Sequence, residues 1–459
     1  MATQRRASAS AGTEQTAGSA PPAPQATTAR RLLLIGDVAH TGFGRVTREL
    51  GIGLRAIGHD VRIIGINYRG IGGEITAQLK GGPLTRERIA AAAASLTDDP
   101  LADVILAASD YGDGMGNNLT QSAYQGKLIP GWKPEACIVI ADPKAMLIRL
   151  ANDGGAIGSR HIPTFNYVPI EGPVPPSSRV IWDHAIPVAM SDYGQRELTK
   201  VLGREVDVAY HGVSDLFRPP TMTDPSSWHG RPVGTKDAAK EAIGLPGRTI
   251  ILRYDRNIPR KNYSALFRVM RPVLAAHPEA VLVIHAALED EGGDLRELIS
   301  WEPGAVHEGG VEWDHPQILL TKAHDTWRGL TDADLRTLVS AADVYVSPTM
   351  AEGFGLCLAE AQATGVPVVA TDYSAVSEIV RPLEALIPPI AMTPNVYGSE
   401  WALVDEAAMS AVVERLVSRP SLRRAWGDEG RRHVARYSWS RAVEQFDRLI
   451  TSQAAVAAH

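Results

Sequence analysis

Two glutamates, Glu352 and Glu360, lie on either side of a glycine-rich stretch whose residue types suit a phosphorylated sugar. Gly353 and Gly355 allow backbone N–H groups to approach a ligand closely, and a helix N-terminus behind them favours an anion. A carboxylate is repelled by phosphate but accepts hydrogen bonds from hydroxyl groups. The stretch therefore predicts a nucleotide sugar, with the diphosphate on the backbone of residues 353–355, Glu352 on the sugar and Glu360 on the ribose.

Short apolar runs on both sides of this stretch predict the elements that position it. Residues 342–347 and 366–370 have the composition of buried strands, and a helical segment runs from Gly355 to Gly365. The order strand, loop, helix, strand is that of a parallel α/β unit. A glycine turn with two surface acids would give the same two-glutamate pattern, so the wider context has to decide between them.

The whole run from Pro348 to Glu378 resembles the donor-site signature of retaining glycosyltransferases of family 4, which have the GT-B fold. Phe354 and Leu356 belong to the same donor loop in this resemblance. Cys357 and Gln362 stand where a proline and a methionine are common, and both are interpreted as packing variants. The resemblance covers residues 31–450 and is strongest over 249–263 and 331–380. It implies an α/β protein of two Rossmann-like domains, whose parallel sheets face each other across a cleft.

A basic pair, Arg256 and Lys261, opens the second of these domains. In the resembling family such a pair holds the donor diphosphate. Fixed cations suit this task because the leaving nucleoside diphosphate gains negative charge as the glycosidic bond breaks. A basic turn exposed to solvent is the alternative interpretation.

The first βαβ unit predicts a strand at residues 31–36, a helix at 45–57 and a second strand at 61–66. Its loop contains Gly42 and Gly44 but not the full G-x-G-x-x-G pattern, so the indication of NAD binding is weak. The resemblance places this loop at the cleft. Gly42, Gly44 and Arg45 are therefore candidates for contacts with the donor phosphate or the acceptor, and an ordinary strand–helix turn is the alternative.

Polar residues follow several predicted strands of the first domain, where ligands of open α/β sheets bind. They are Asp113, Asp142, Lys144, Tyr167 and Glu171. Many relatives carry a histidine at such a strand end, close to the transferred sugar, and no histidine here matches that position. Glu171 or Asp142 takes its place, or the role is missing. Each is equally well explained as a structural cap.

Composition limits the class of protein. The chain has 459 residues, of which 44% are hydrophobic and 21% charged, which is typical of a soluble globular protein of two or three domains. The net charge of −6 gives no general attraction to nucleic acid or anionic membrane. No basic tract predicts a duplex-binding face, although a patch formed from distant residues leaves no signature in the sequence.

The two cysteines, Cys137 and Cys357, are far apart and have apolar neighbours, which favours buried thiols in a reducing compartment. No apolar run reaches the length of a membrane span. A cytoplasmic location is therefore expected.

The expected domain organisation has five parts. They are a disordered leader at 1–29, a Rossmann-like acceptor-side domain at 30–218, a linker at 219–248, a donor-side domain at 249–436, and a C-terminal segment at 437–459 with a helix that crosses back to the first domain. Residues 288–330 are interpreted as an enlarged surface loop. Its tryptophans, among them Trp301, are either packing residues or a sugar platform.

No metal or cofactor is expected beyond the donor substrate. Asp332 and Asp334 mimic an Asp-x-Asp metal motif, but Thr331 before them predicts a helix cap instead.

The resemblance implies a hexosyltransferase that moves a sugar from a nucleoside diphosphate to an acceptor hydroxyl, with retention and without a metal. Arg256, Lys261, Glu352, Glu171 and Asp142 are the candidate catalytic residues. Two alternatives are a nucleotide-sugar epimerase on the same fold and a non-catalytic nucleotide-sugar-binding protein. The sugar, the base, the oligomeric state and the acceptor (glycan, lipid, protein or modified DNA) stay open.

Overall fold

The computed structural model of the chain describes residues 28–39, 41–66, 101, 105–107, 117–127, 129–152, 162–307, 313–321 and 330–457. Most of the predicted leader, residues 70–85 and Asp113 lie outside the described residues.

The N-terminal half forms a seven-stranded sheet in the order β3-β2-β1-β4-β5-β6-β7, and every neighbouring pair is parallel. Its strands are β1 (Arg31–Asp37), β2 (Asp60–Ile66), β3 (Ile105–Ala107), β4 (Ala136–Ile140), β5 (Thr164–Val168), β6 (Ile186–Ala189) and β7 (Asp207–Val208). Its helices are α1 (Gly42–Ala56), α2 (Asn117–Tyr124), α3 (Pro143–Asn152), α4 (Arg179–Trp182) and α5 (Asp192–Leu202).

Both faces of this sheet are covered, as a parallel sheet requires. Successive side chains of a strand point to opposite faces, so Leu32 and Leu34 join one buried cluster while Leu33 and Ile35 join another. All four are fully buried. The continuous apolar run that predicted this strand therefore reflects helices on both sides of it.

The C-terminal half forms a six-stranded parallel sheet in the order β16-β11-β10-β17-β18-β19. Its strands are β10 (Thr249–Tyr254), β11 (Ala280–His285), β16 (Ile318–Leu320), β17 (Val344–Ser347), β18 (Val368–Thr371) and β19 (Leu386–Ile387). The helices from this part onward are α6 (Lys236–Ala242), α7 (Tyr263–Ala276), α8 (Leu295–Ser300), α9 (Asp332–Ala341), α10 (Leu356–Ala363), α11 (Val376–Ile379), α12 (Glu406–Ser418), α13 (Pro420–Val434) and α14 (Trp439–Ala457).

Four two-stranded hairpins complete the described strands. They pair β8 (Ser226–Trp228) with β9 (Arg231–Val233), β12 (Glu289–Asp290) with β13 (Gly293–Asp294), β14 (Val306–His307) with β15 (Trp313–Asp314), and β20 (Pro389–Pro394) with β21 (Glu400–Val404). The prediction of an enlarged surface loop at 288–330 is wrong for part of this segment, because α8 lies there and β16 joins the sheet at its edge.

Helix α14 packs against α1 of the first half. The Val443 side chain fills the space beside Gly53, where a Cβ atom would lie 2.3 Å from Val443 Cγ2. His59 Nε2 lies 3.1 Å from Asp447 Oδ1 in the same contact.

Residues 219–248 are not an open connection, because they contain the β8–β9 hairpin and α6, both packed on α9. The exact domain limits stay a prediction.

Two helix starts show how local capping decides a boundary. Helix α1 begins at Gly42, three residues before the predicted start, because the Thr41 side chain accepts a hydrogen bond from the N–H of Gly44. Helix α9 begins at Asp332, and Thr331 Oγ1 accepts from the N–H of Asp334 at 3.1 Å, so the predicted cap is confirmed. No helix in the described part of the chain is long and apolar enough to cross a membrane.

Candidate active site

The loop between β17 and α10 presents a row of backbone donors. Gly355 takes a φ of 96° and is the N-cap of α10. The N–H groups of five consecutive residues, 353–357, donate no hydrogen bond to any residue that the structure describes. The partial positive charge of the helix N-terminus lies behind them. This row is a ready-made site for an anion such as phosphate.

Phe354 fixes the position of this loop. Its buried side chain packs against the rings of His211, Tyr210 and Tyr437, with ring centroids 4.8, 6.3 and 5.6 Å away. A Cβ atom on the preceding Gly353 would lie 2.3 Å from Cβ of Pro169, so only glycine fits there. The loop is therefore held directly against the end of β5 in the first half.

Glu352 is a buried carboxylate with three partners. Its Oε1 lies 2.6 Å from Lys261 Nζ and accepts from Thr349 Oγ1 at 3.0 Å, while its Oε2 accepts from Arg260 NH1 at 2.9 Å. Burial by itself would raise the pKa of Glu352, but the charges of Lys261 and Arg260 lower it to about 2. This carboxylate is therefore ionised at any physiological pH.

The cations beside Glu352 differ from those that the sequence spacing predicts. A short 3₁₀ turn, Pro259–Lys261, directs Arg260 and Lys261 towards Glu352. Lys261 Nζ also lies 2.8 Å from Asp255 Oδ2, so one of its three N–H groups stays available to a ligand. Arg256 instead binds Asp290 at 2.9 Å and Glu291 at 2.8 Å on the β12–β13 hairpin. The structure thus places Lys261 beside Glu352, whereas Arg256 lies elsewhere, on the hairpin.

Glu360 lies in the second turn of α10 and is also buried. Tyr254 OH donates to its Oε2 at 3.0 Å, and Arg45 NH1 lies 3.2 Å from its Oε1. Burial raises the pKa of Glu360 to about 7, against the opposing charge of Arg45. Arg45 also binds Asp332 Oδ1 at 2.7 Å. The predicted ribose carboxylate is thus paired with an arginine from the first half.

The start of α1 faces the start of α10. A Cβ atom on Gly42 would lie 4.0 Å from Leu356 Cδ1, so these two candidate residues meet across the cleft. Gly44 lies deeper in the first turn, where a Cβ atom would approach Ala39 O to 1.9 Å. The N–H groups of Gly42 and Phe43 donate to no described residue. Two helix N-termini therefore converge on the same region.

Asp142 and Glu171 lie at the ends of β4 and β5. Asp142 Oδ1 accepts from the N–H of Ala145, which makes Asp142 a cap of α3. Glu171 Oε1 lies 2.9 Å from Arg260 NH2, so Arg260 joins Glu171 of the first half to Glu352 of the second. Burial raises the pKa of Glu171, opposed by the charge of Arg260.

A histidine packs on the donor loop but at a different place from the one expected. His211 is buried between Phe354 and Trp439, and its Nδ1 lies 2.7 Å from Tyr167 OH. Burial lowers its pKa to about 3, so its ring is neutral. It supports the loop through ring packing and offers no charge.

Sequence reasoning missed Arg260, Asp255, Tyr254 and Thr349. The adjacency of Arg260 to Lys261 was a signal for the first of these, since a tight turn can direct both side chains to one side. Tyr254 lies 106 residues from Glu360, and Thr349 carries no charge, so spacing gives no indication of these contacts. Asp255 lies six residues before Lys261, but the 3₁₀ turn that brings the two side chains together has no signature in the spacing.

Residues 250–396 match the model of the family described as Glycosyl transferases group 1. This segment is similar to group 1 glycosyl transferases. The match contains Lys261, Glu352 and Glu360, and the resemblance found in the sequence is confirmed.

Two curated relatives are mannosyltransferases by name. One is the MMP alpha-(1->4)-mannosyltransferase of Mycolicibacterium hassiacum, 36% identical over 268 residues, which are 56% of this chain and 57% of the relative. The other is the GDP-mannose-dependent monoacylated alpha-(1-6)-phosphatidylinositol monomannoside mannosyltransferase of Corynebacterium glutamicum, 26% identical over 57% of this chain and 66% of the relative. The chain spans 44–66% of the length of the first three curated relatives that it matches.

A solved structure shows the fold over nearly the whole chain. The HepE protein of Anabaena, in complex with UDP and glucose, superposes with a TM-score of 0.61 over 92% of this chain and 100% of its own, at 13% identity. The fold is GT-B, as predicted.

Proposed function

We propose that this protein transfers a sugar from a nucleoside diphosphate sugar to an acceptor hydroxyl, with retention of configuration and without a catalytic metal. The observation that carries the proposal is the row of five N–H groups at 353–357, without partners among the described residues and set between two buried carboxylates. The row matches a diphosphate, and the carboxylates match the hydroxyl groups at its two ends. The UDP and glucose bound by a protein of the same fold support this class of donor.

The cations next to the row would stabilise the leaving group. As the bond between the sugar C1 and the phosphate oxygen breaks, negative charge develops on the diphosphate. Lys261 and Arg260 are held in place by Glu352 and Asp255, so they need little reorganisation when that charge appears. In this role they replace a divalent ion, which makes a metal redundant.

Retention follows from the geometry of attack. In the proposed step the acceptor oxygen approaches C1 from the side of the departing diphosphate, the C1–oxygen bond to the acceptor forms, and the acceptor proton passes to a phosphate oxygen. This route needs no separate general base. It accounts for a site in which Asp142 is a helix cap and Glu171 is paired with Arg260.

Incubation with a panel of UDP and GDP sugars tests the proposal. We expect release of nucleoside diphosphate, faster with an acceptor, and an unchanged anomeric configuration of the product by NMR. EDTA should leave the rate unchanged. Conversion of the donor alone into an isomer would indicate an epimerase, and binding without turnover would indicate a non-catalytic protein.

Variants of two lysines separate the donor site from general effects. Lys261→Ala should lower the rate by about 10²–10³, because it removes a donor to the developing charge. Lys200→Ala is the matched control, since Lys200 is exposed on α5 and its ion pair in the described part of the chain is with Glu197. A Lys261→Ala protein with normal turnover would exclude the proposed donor site.

A further inference from the structure

The β20–β21 hairpin of the second half is an unusual surface element. Its outward side chains are apolar although they face solvent: Ile390 is 69% exposed, Val396 84% and Tyr397 49%. The base of the hairpin is fixed beside the donor loop, because the N–H of Ala402 donates to Met350 O at 3.0 Å. Met350 lies two residues before Glu352. The hairpin therefore extends from the donor site itself.

The tip of the hairpin reaches the first half of the molecule. Ser399 Oγ donates to Pro173 O at 2.7 Å, and a Cβ atom on Gly172 would lie 2.5 Å from Ser399 Oγ. The Asn395 side chain accepts from the N–H groups of Tyr397 and Ser399, which fixes the turn. The hairpin thus forms a rigid wall across one side of the cleft.

Tyr397 lies at this tip, between the ends of β4 and β5. Lys144, two residues after Asp142, places its Nζ 5.5 Å from the centre of the Tyr397 ring. Ser399, two residues after Tyr397, contacts the segment that follows Glu171. Burial raises the pKa of Tyr397, and the charges of Asp142 and Glu171 raise it further.

Both neighbouring carboxylates have an oxygen to offer. Asp142 uses Oδ1 for the cap of α3, and Glu171 uses Oε1 for Arg260. Their other oxygens, Oδ2 and Oε2, accept no hydrogen bond from any residue described in the structure. An aromatic ring with acceptor oxygens beside it matches a sugar, whose C–H face packs on the ring while its hydroxyl groups donate.

The net charge of the cleft favours a neutral acceptor sugar over a phosphorylated or acidic one. The cations of the cleft already have carboxylate partners. Five cations, Arg45, Arg253, Arg256, Arg260 and Lys261, are paired with seven carboxylates in total, Glu360, Asp332, Asp290, Glu291, Glu171, Glu352 and Asp255. This excess of negative charge disfavours a phosphorylated or acidic acceptor. Lys144 alone does not reverse it.

We propose that Tyr397, Asp142 and Glu171 form the acceptor subsite, and that its ligand is a neutral carbohydrate. Arg260 links this subsite to the donor site, because it contacts Glu171 and Glu352 at 2.9 Å each. The assignment rests on the transfer reaction proposed above. It adds that the second half, through its hairpin, supplies the surface on which the acceptor packs.

Saturation-transfer NMR of the full chain with saturating UDP or GDP tests the assignment. The neutral probes are methyl α-D-mannopyranoside, methyl α-D-glucopyranoside and myo-inositol, and the charged probes are D-glucose 6-phosphate and D-glucuronate. We expect a neutral probe to bind, and Tyr397→Ala to weaken it about threefold to tenfold, since an aromatic contact of this kind is lost. Tyr397→Phe should bind as the wild type does.

Two controls separate the possible failures. Trp301→Ala removes another exposed aromatic side chain, at the end of α8, and should change nothing. Calorimetry with UDP and GDP should give equal affinities for the wild type and Tyr397→Ala. If neither nucleotide binds the wild type, the proposed function fails. If a nucleotide binds but no neutral probe does, if only charged probes bind, or if Tyr397→Ala binds neutral probes normally, the acceptor assignment is overturned.

Discussion

At the scale of single residues, the site shifts the pKa values of two buried glutamates in opposite directions. Glu352 lies among two cations and the Thr349 hydroxyl, which hold its pKa at about 2 despite burial. Glu360 has one cation, Arg45, and the Tyr254 hydroxyl, and burial raises its pKa to about 7. The first is a permanent charge, whereas the second titrates near neutral pH.

This difference predicts a pH dependence of stability with a defined sign. The pKa of Glu360 rises from its ordinary value of 4.5 to about 7 on folding, so the folded state binds more protons than the unfolded state between these limits. Its contribution to stability is therefore greatest below pH 4.5 and is lost as the pH rises to about 7, by at most about 3 kcal/mol.

Thermal unfolding of the wild type and Glu360→Gln, followed from pH 4.5 to 8, measures the contribution of Glu360 to stability. The Tm of the wild type minus that of Glu360→Gln should fall up to about pH 7 and then level off. Other groups titrate in both proteins and cancel. A difference that is flat or rises over this range would contradict the environment described for Glu360.

At the scale of elements, the β12–β13 hairpin controls where Arg256 points. Asp290 and Glu291 both bind its guanidinium, which is half exposed, and they hold it on the hairpin while Lys261 reaches Glu352. If Arg256 contributes to the diphosphate, as the family pattern implies, it has to leave these carboxylates first. The hairpin then competes with the donor for this arginine.

Removal of the carboxylate charges that compete for Arg256 should strengthen binding of the donor sugar. The double variant Asp290→Asn/Glu291→Gln is expected to lower the KM for the donor sugar about twofold to fivefold, since exposed ion pairs are individually weak. Glu289→Gln is the control, because Glu289 lies on the same hairpin but pairs with Arg296. An unchanged KM in the double variant would show that Arg256 does not bind the donor.

The regular elements of both sheets could be predicted from the sequence, whereas these small hairpins could not. Strands β1 and β11 are apolar runs because both faces of each sheet are covered, and Gly365 follows the C-cap of α10, so composition and period identify these elements. Strands β12, β13 and β16 have two or three residues and no usable period. The β20–β21 hairpin exposes its apolar side chains, which is the reverse of the usual pattern.

The residue types of the candidate site could be predicted from the sequence, but which cation pairs with which carboxylate could not. Lys261 pairs with Glu352, while Glu360 lies eight residues further along the chain in α10, because the strand–loop–helix unit that carries both glutamates is local in sequence. Arg260 could not be preferred to Arg256 by spacing alone, since the choice depends on a 3₁₀ turn and on a distant acidic hairpin.

At the scale of the whole molecule, carboxylates join the two halves at several points around the cleft. Glu378 of α11 accepts from the N–H groups of Asp192 and Tyr193 at the start of α5, and from Tyr210 OH at 2.7 Å. Arg45 to Glu360 and Arg260 to Glu171 are two further links. The donor loop is thus enclosed by both halves, with α1 and α10 directed at the same space.

This enclosure has a consequence for the nucleotide. In the proposed donor complex the ribose shares Glu360 with Arg45 or displaces it, whereas the diphosphate meets donors that have no partner among the described residues. The proposal thus assigns the two ends of the donor to different carboxylates, and the contributions of these carboxylates to donor binding should be separable. Hydrogen bonds to a charged group contribute about 1.5–3 kcal/mol.

Calorimetry of UDP and GDP with the wild type, Glu352→Gln and Glu360→Gln tests this central claim most directly. Glu360→Gln should weaken nucleotide binding about tenfold or more. Glu352→Gln should keep that binding, because it removes negative charge next to Lys261 and Arg260, while it depresses transfer from the intact donor. Loss of the bare nucleotide in Glu352→Gln as severe as in Glu360→Gln, or no binding to the wild type, would contradict the account.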